Sequence, residues 1–144
     1  MDADDVIEEL GLEPHPEGGW FAEVWTHPDA DGSGRPRGSS IYCLLREGER
    51  SHWHRVDVPE MWHHYAGDPL HLAVSADGEE VDHLVLGPDV TVGERPQLVV
   101  PAGHWQSAES MGDWTLAGCS LAPGFDWDGF ELAPEDWSPD AVTH

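Results

Sequence analysis

The sequence predicts an all-β sandwich or barrel led by one short helix. Two observations carry this reading. From Ser40 onward, short apolar runs recur at regular spacing, separated by Gly, Pro and Asp turns. Helical character is confined to the start of the chain, and Pro14 and Pro16 close it off. The 144 residues suit one domain, 1–144, with a core that needs no disulfide staples.

Ala3 to Leu10 reads as the helix. Asp2, Asp4 and Asp5 suit its N-terminus, Gly11 its end, and Val6, Ile7 and Leu10 its apolar side. Gly18-Gly19 marks a turn or bulge before a strand, WFAEVW. Residues 27–40 read as a polar loop rich in Gly, Pro and Asp. Strands follow at SIYCLL, SHWHRV, EMWHHYAG, LHLAVS, VDHLVL, QLVV, HWQSAE and WTLAGCSLA. The tail APGFDWDGFELAPEDW is too apolar to float and is expected to pack on the barrel or on a second subunit.

Charge excludes some partners. Twenty-nine acidic residues face six basic ones, all Arg, for a formal net charge of −23 at pH 7. Such a surface repels nucleic acid and anionic membranes. There is no apolar run of transmembrane length, and the acidic start is unlike a signal peptide. Cys43 and Cys119 sit in apolar runs and read as buried free thiols, which points to the cytoplasm.

The acids are spread along the chain, so the composition reads as adaptation to a salty cytoplasm. Folding concentrates these like charges, and salt screens them over about 3 Å at 1 M. The thermal midpoint is therefore expected to rise steeply with the first additions of sodium chloride and little with a neutral osmolyte. A midpoint that stays flat or falls with chloride would sink the halophilic reading.

Two stretches carry the chemistry. Gly48 to Gly67 holds His52, His54, Glu60, His63 and His64. Residues two apart on a strand share a face, so His52 and His54 would offer two imidazoles to one point. Gly93 to Gln106 contains Pro101 and Gly103. Together the stretches resemble the two motifs of the cupin superfamily. Six residues separate Glu60 from Gly67, as in the first motif, but the gap from His54 to Glu60 is longer than usual. In the second motif, Gln106 stands where the family has His. Further pieces, LGLEPHPEGGWFAE, WHHYAGDPL and GCSLAPGFDWDGFEL, resemble one small, largely uncharacterised cupin family.

The resemblance implies a double-stranded β-helix, or jelly roll, usually dimeric, and it implies no settled activity. It also implies a metal position at His52, His54, Glu60 and Gln106. A divalent Zn, Ni, Mn or Fe ion accepts such mixed ligands. The polar-pocket alternative keeps the same residues without metal. Strict alternation from Glu60 turns Trp62 and His64 inward and His63 and Tyr65 outward, while a bulge after Pro59 would reverse this. His104 shares a face with Gln106 and is an alternative third imidazole. Trp62, His63, His64, Tyr65 and His104 are thus the candidate pocket residues. Arg46 and Arg55 either hold an anionic ligand or pair with nearby acids.

Two functions fit. One is an enzyme that moves a proton next to a carbonyl on a small polar substrate, such as a keto-sugar or carboxylate, with or without a metal. The other is a module that binds a small molecule without turnover.

Overall fold

The computed structural model describes residues 1–27 and 34–139. Helix α1 (Ala3–Leu10) is capped by Asp2, whose carboxylate accepts from the Asp5 N–H at 2.9 Å while Asp5 accepts from the Asp2 N–H at 3.1 Å. Gly11 ends the helix in the left-handed region. The helix lays Ala3 and Val6 on Leu44, against the outer side of a sheet.

The strands are β1 (Glu13–Pro14), β2 (Trp20–His27), β3 (Gly38–Arg46), β4 (Arg50–Val56), β5 (Glu60–Gly67), β6 (Leu70–Ser75), β7 (Asp82–Leu86), β8 (Gln97–Val100), β9 (Trp105–Ser110), β10 (Trp114–Leu121) and β11 (Phe130–Leu132). They form two antiparallel sheets, ordered β1-β2-β3-β10-β5-β8 and β11-β4-β9-β6-β7. This is the jelly roll expected from the resemblance. Of the expected polar loop at 27–40, residues 28–33 lie outside the described residues. His27 closes β2, and β3 already begins at Gly38.

Alternation divides the interior between the sheets into two halves. Toward one end, Cys43 and Leu45 on β3, Trp62 on β5, Leu72 and Val74 on β6, and Ala117 and Cys119 on β10 pack as the core. Toward the other end the same strands offer Ser39, Ile41, Glu60 and Leu121, which leave a cavity. Glu60 and Trp62 lie two apart on β5, so a polar group sits at the seam between core and cavity. The tail packs as expected. Phe125 and Phe130 rest on Val56, Val58 and Leu121, and Trp137 rests on Trp53. Both cysteines are buried and free, and burial pushes their thiols well above the usual range. Among the described residues, no helix is long and apolar enough to cross a membrane.

Candidate functional site

The cavity holds about 270 Å³. Its walls are largely apolar: Phe21 of β2, Ile41 of β3, Val56 of β4, Leu121 of β10, and Phe125, Trp127 and Phe130 of the tail. Its polar groups are His15, Glu17, Glu23, Ser39, His54 and Glu60. Phe125, Trp127 and Phe130 meet edge to face, with Trp127 4.7 Å from Phe125 and 5.3 Å from Phe130. Trp127 is 56% exposed, so this cluster forms the rim.

Glu17 arrives on the turn between β1 and β2. His15 and Gly19 close that turn, with the His15 N–H donating to the Gly19 carbonyl at 2.9 Å and the Gly18 N–H donating to the His15 carbonyl at 3.0 Å. Gly18 has φ +110°, and a Cβ there would stand 2.0 Å from the Arg50 carbonyl oxygen. Only a residue without a side chain lets the turn dock this closely on β4. The docked turn is also tied by the His52 N–H, which donates to the Glu17 carbonyl at 2.7 Å.

His54 receives Glu17. Its Nδ1 lies 2.9 Å from the Glu17 carboxylate and 2.8 Å from the His52 carbonyl. Both side chains are nearly closed to solvent, at 3% and 9% exposed. Burial alone would lower the His54 pKa, but the Glu17 charge and hydrogen bond overcome it and raise it to about 9. Burial alone would raise Glu17, and the His54 imidazolium instead holds it below the usual carboxylate range. At neutral pH the two form a buried ion pair.

Glu60 is the opposite case. Burial raises its pKa, and the nearby Glu17 charge adds to this, outweighing His54 and the Gln106 amide. Gln106 Nε2 donates to Glu60 at 2.7 Å, and Trp62 Nε1 donates to Gln106 Oε1 at 2.8 Å. The indole thereby sets the orientation of the amide, and the amide holds the carboxyl. Two carboxyl groups that both feel one imidazole are thus driven apart, one toward the anion and one toward the neutral acid.

The expected metal residues are only partly brought together. His54 pairs with Gln106 across β4 and β9, and Glu60 joins them. His52 does not. Between the pairs Ser51–Ala108 and His54–Gln106, two residues of β4, His52 and Trp53, stand opposite one of β9, Ser107. This bulge breaks the alternation, and His52 turns to the tail, where its Nε2 lies 2.9 Å from the Pro134 carbonyl. The Gln106 oxygen is taken by Trp62. Among the described residues, no group of three or more His, Cys, Asp or Glu could hold a metal ion. The donors present therefore do not fit the divalent ion that the fold family implies.

None of the five expected pocket residues lines the cavity. Trp62 lies beneath it in the core, 1% exposed. His64, at the other end of β5, is 3.2 Å from the Asp68 carbonyl. His63 and Tyr65 face outward: Ser120 Oγ and Gln97 Nε2 lie 3.3 and 3.2 Å from the His63 ring nitrogens, and Tyr65 stacks on that ring. Gly118 leaves the space that Tyr65 occupies. His104 precedes β9, half-buried and away from the cavity. Arg46 and Arg55 pair with acids, Glu49 and Glu131.

Sequence reasoning missed Glu17, His15 and the aromatic rim. The available signal was the HPEGG turn itself, an acid beside two glycines. Twenty-nine acids hid it.

Comparison with known proteins agrees with this fold. A family model described as Cupin superfamily (DUF985) matches residues 4–133. The X-ray structure of a protein from Shewanella oneidensis is similar at TM-score 0.88 and 41% identity, covering 92% of this chain and 85% of that one. A hypothetical protein from Leishmania major is similar at TM-score 0.84 and 31% identity, over 92% and 88% of the two chains. Oxalate decarboxylase from Bacillus subtilis reaches TM-score 0.63 at 16% identity, over 83% of this chain and 29% of that one, which is a likeness of fold alone. Comparison with the curated proteins gives no match.

Proposed function

The chain belongs to the DUF985 family of the cupin superfamily, and from that premise we propose a small-molecule-binding enzyme that transfers protons by acid/base chemistry. The observation that carries this reading is the arrangement in the cavity wall: Glu17 lies 2.9 Å from His54 Nδ1, and Glu60 is held by the Gln106 amide at 2.7 Å. Glu60 lines the cavity and exchanges a proton with a carbon next to a carbonyl. In its ionised form Glu60 takes that proton, and negative charge moves onto the substrate oxygen. The His54 imidazolium, fixed by Glu17, stabilises the oxyanion. Glu60 then returns a proton to the carbon: on the same face this gives exchange, and on the opposite face, after the enolate turns over in the cavity, it gives epimerisation. Gln106 and Trp62 keep Glu60 in place.

Proton NMR in D₂O tests this, with hydroxyacetone, dihydroxyacetone and phenylacetone as probes. Exchange of the protons next to the carbonyl is expected, and Glu60→Gln is expected to slow it about 100-fold or more. Equal exchange with wild type and variant leaves the non-catalytic binding module as the function.

A cytoplasmic homodimer belongs to the same proposal. Trp25, Tyr65 and Val99 are about half exposed, and Met61 and Val99 line a groove with Trp25. A second copy covering this face is supported by its apolar character. Light scattering in high salt at tens of micromolar is expected to give twice the 15.9 kDa chain mass. Monomer alone under those conditions would count against it.

A further inference from the structure

The charges that line the cavity are unusual for a site that takes a carboxylate or phosphate. Anion sites present Arg, Lys or clustered N–H groups. Here Glu17, Glu23 and Glu60 line the wall, and no Arg does. The chain has no Lys at all, and residues 28–33 and 140–144 contain no Arg. Arg35, Arg46 and Arg55 are each held on an acid, Asp57, Glu49 and Glu131 respectively. Arg50 donates to Ser107 and Arg95 to the Glu94 carbonyl, and Arg37 lines the groove with Trp25 and Met61 rather than this cavity. Among the described residues, the one cation lining the cavity, His54, is already matched by Glu17 at 2.9 Å. An incoming anion would meet Glu23 at the wall and find no unmatched countercharge in the lining.

The apolar part of the wall points to what does enter. The rim sets ring faces and edges around the opening, with Phe130 5.6 Å from the His54 ring and Phe21 4.5 Å from His15. A flat ring held there leaves its polar end toward His54 and Glu60. We infer that the ligand has a flat apolar ring, a carbonyl at one end and no negative charge, and that the cavity rejects its anionic analogues. This rests on the proton-transfer reading for the orientation of the carbonyl, while the charge preference follows from the wall alone.

Three probes of like size and different charge test the inference: benzamide, benzoate and benzylamine. Each is titrated by calorimetry into the full-length protein in 1 M sodium chloride. That salt screens the net surface charge over about 3 Å, so what remains is the effect of the lining. Saturable benzamide binding is expected, with benzoate at least tenfold weaker and benzylamine no tighter than benzamide. Trp127→Ala, a change at a half-exposed position, is expected to weaken benzamide binding several-fold with an unchanged thermal midpoint. Glu23→Gln is expected to narrow the gap between benzamide and benzoate. Benzoate binding as well as benzamide, benzylamine binding tenfold tighter, an unaffected Trp127→Ala variant, or no saturation by any probe overturns the inference. Benzamide binding together with absent deuterium exchange would remove the proton-transfer reading and leave the ligand class standing.

Discussion

Replacing Glu17 with Gln is expected to destabilise the fold by about 3–5 kcal/mol near pH 6, the usual cost of leaving one charge of a buried pair without its partner. The pH dependence identifies the mechanism. His54 is raised from 6.5 to about 9 in the folded protein. A group raised in this way adds stability in full below its unfolded value, and that stability is lost as pH climbs through the folded value. The wild-type protein should therefore lose about 3 kcal/mol between pH 6.5 and about 9 from this group. Glu17, lowered by the same contact, adds stability above its unfolded value and loses it in acid, so the pair is one interaction seen from two ends. Urea denaturation of wild type and Glu17→Gln at pH 6, 7.5, 9 and 10 reads the difference. The wild-type advantage should be largest at pH 6 and shrink toward pH 10. Parallel profiles would show that Glu17 is not the partner of His54.

Gly18→Ala is the second large effect. A Cβ at this position carries two penalties at once. The backbone sits at φ +110°, and the Arg50 carbonyl oxygen lies 2.0 Å from the new carbon. Strain of about 1–3 kcal/mol and a similar cost of overpacking add to about 2–6 kcal/mol. Gly48→Ala is the control: its φ is +80°, but nothing lies within 4 Å of the new carbon. It should cost about 1–2 kcal/mol, the backbone part alone. The Gly18 variant should also lose the alkaline decline of stability described for the Glu17–His54 pair, because the turn that carries Glu17 must lift from β4. A Gly18→Ala protein no less stable than Gly48→Ala would mean that the turn does not dock as the structure has it.

The fold was legible along the chain because its signals are local. Turn residues recur at short intervals, and alternation within each run marks a face, so β3 to β10 fall close to the runs read from sequence. The capped helix was legible for the same reason: Asp2, Asp5 and Gly11 act within one turn of their partners. Part of the site was legible too. The paired motifs brought His54, Glu60 and Gln106 to one place because β4, β5 and β9 carry them inward.

What the sequence by itself determined is therefore the fold class, the acidic surface and the identity of three inward polar groups. Tertiary structure alone decided which imidazoles and carboxylates meet. A period of two assigns faces only while the strand stays regular, and a bulge of one residue, set by pairing with β9, turned His52 out of the site. Glu17 reaches His54 across 37 positions of sequence, through a turn whose fit depends on a carbonyl of another strand. No local pattern encodes that contact. One carboxylate among many became half of a buried ion pair because the packed barrel removed water from it, and burial exists only once the whole chain has folded.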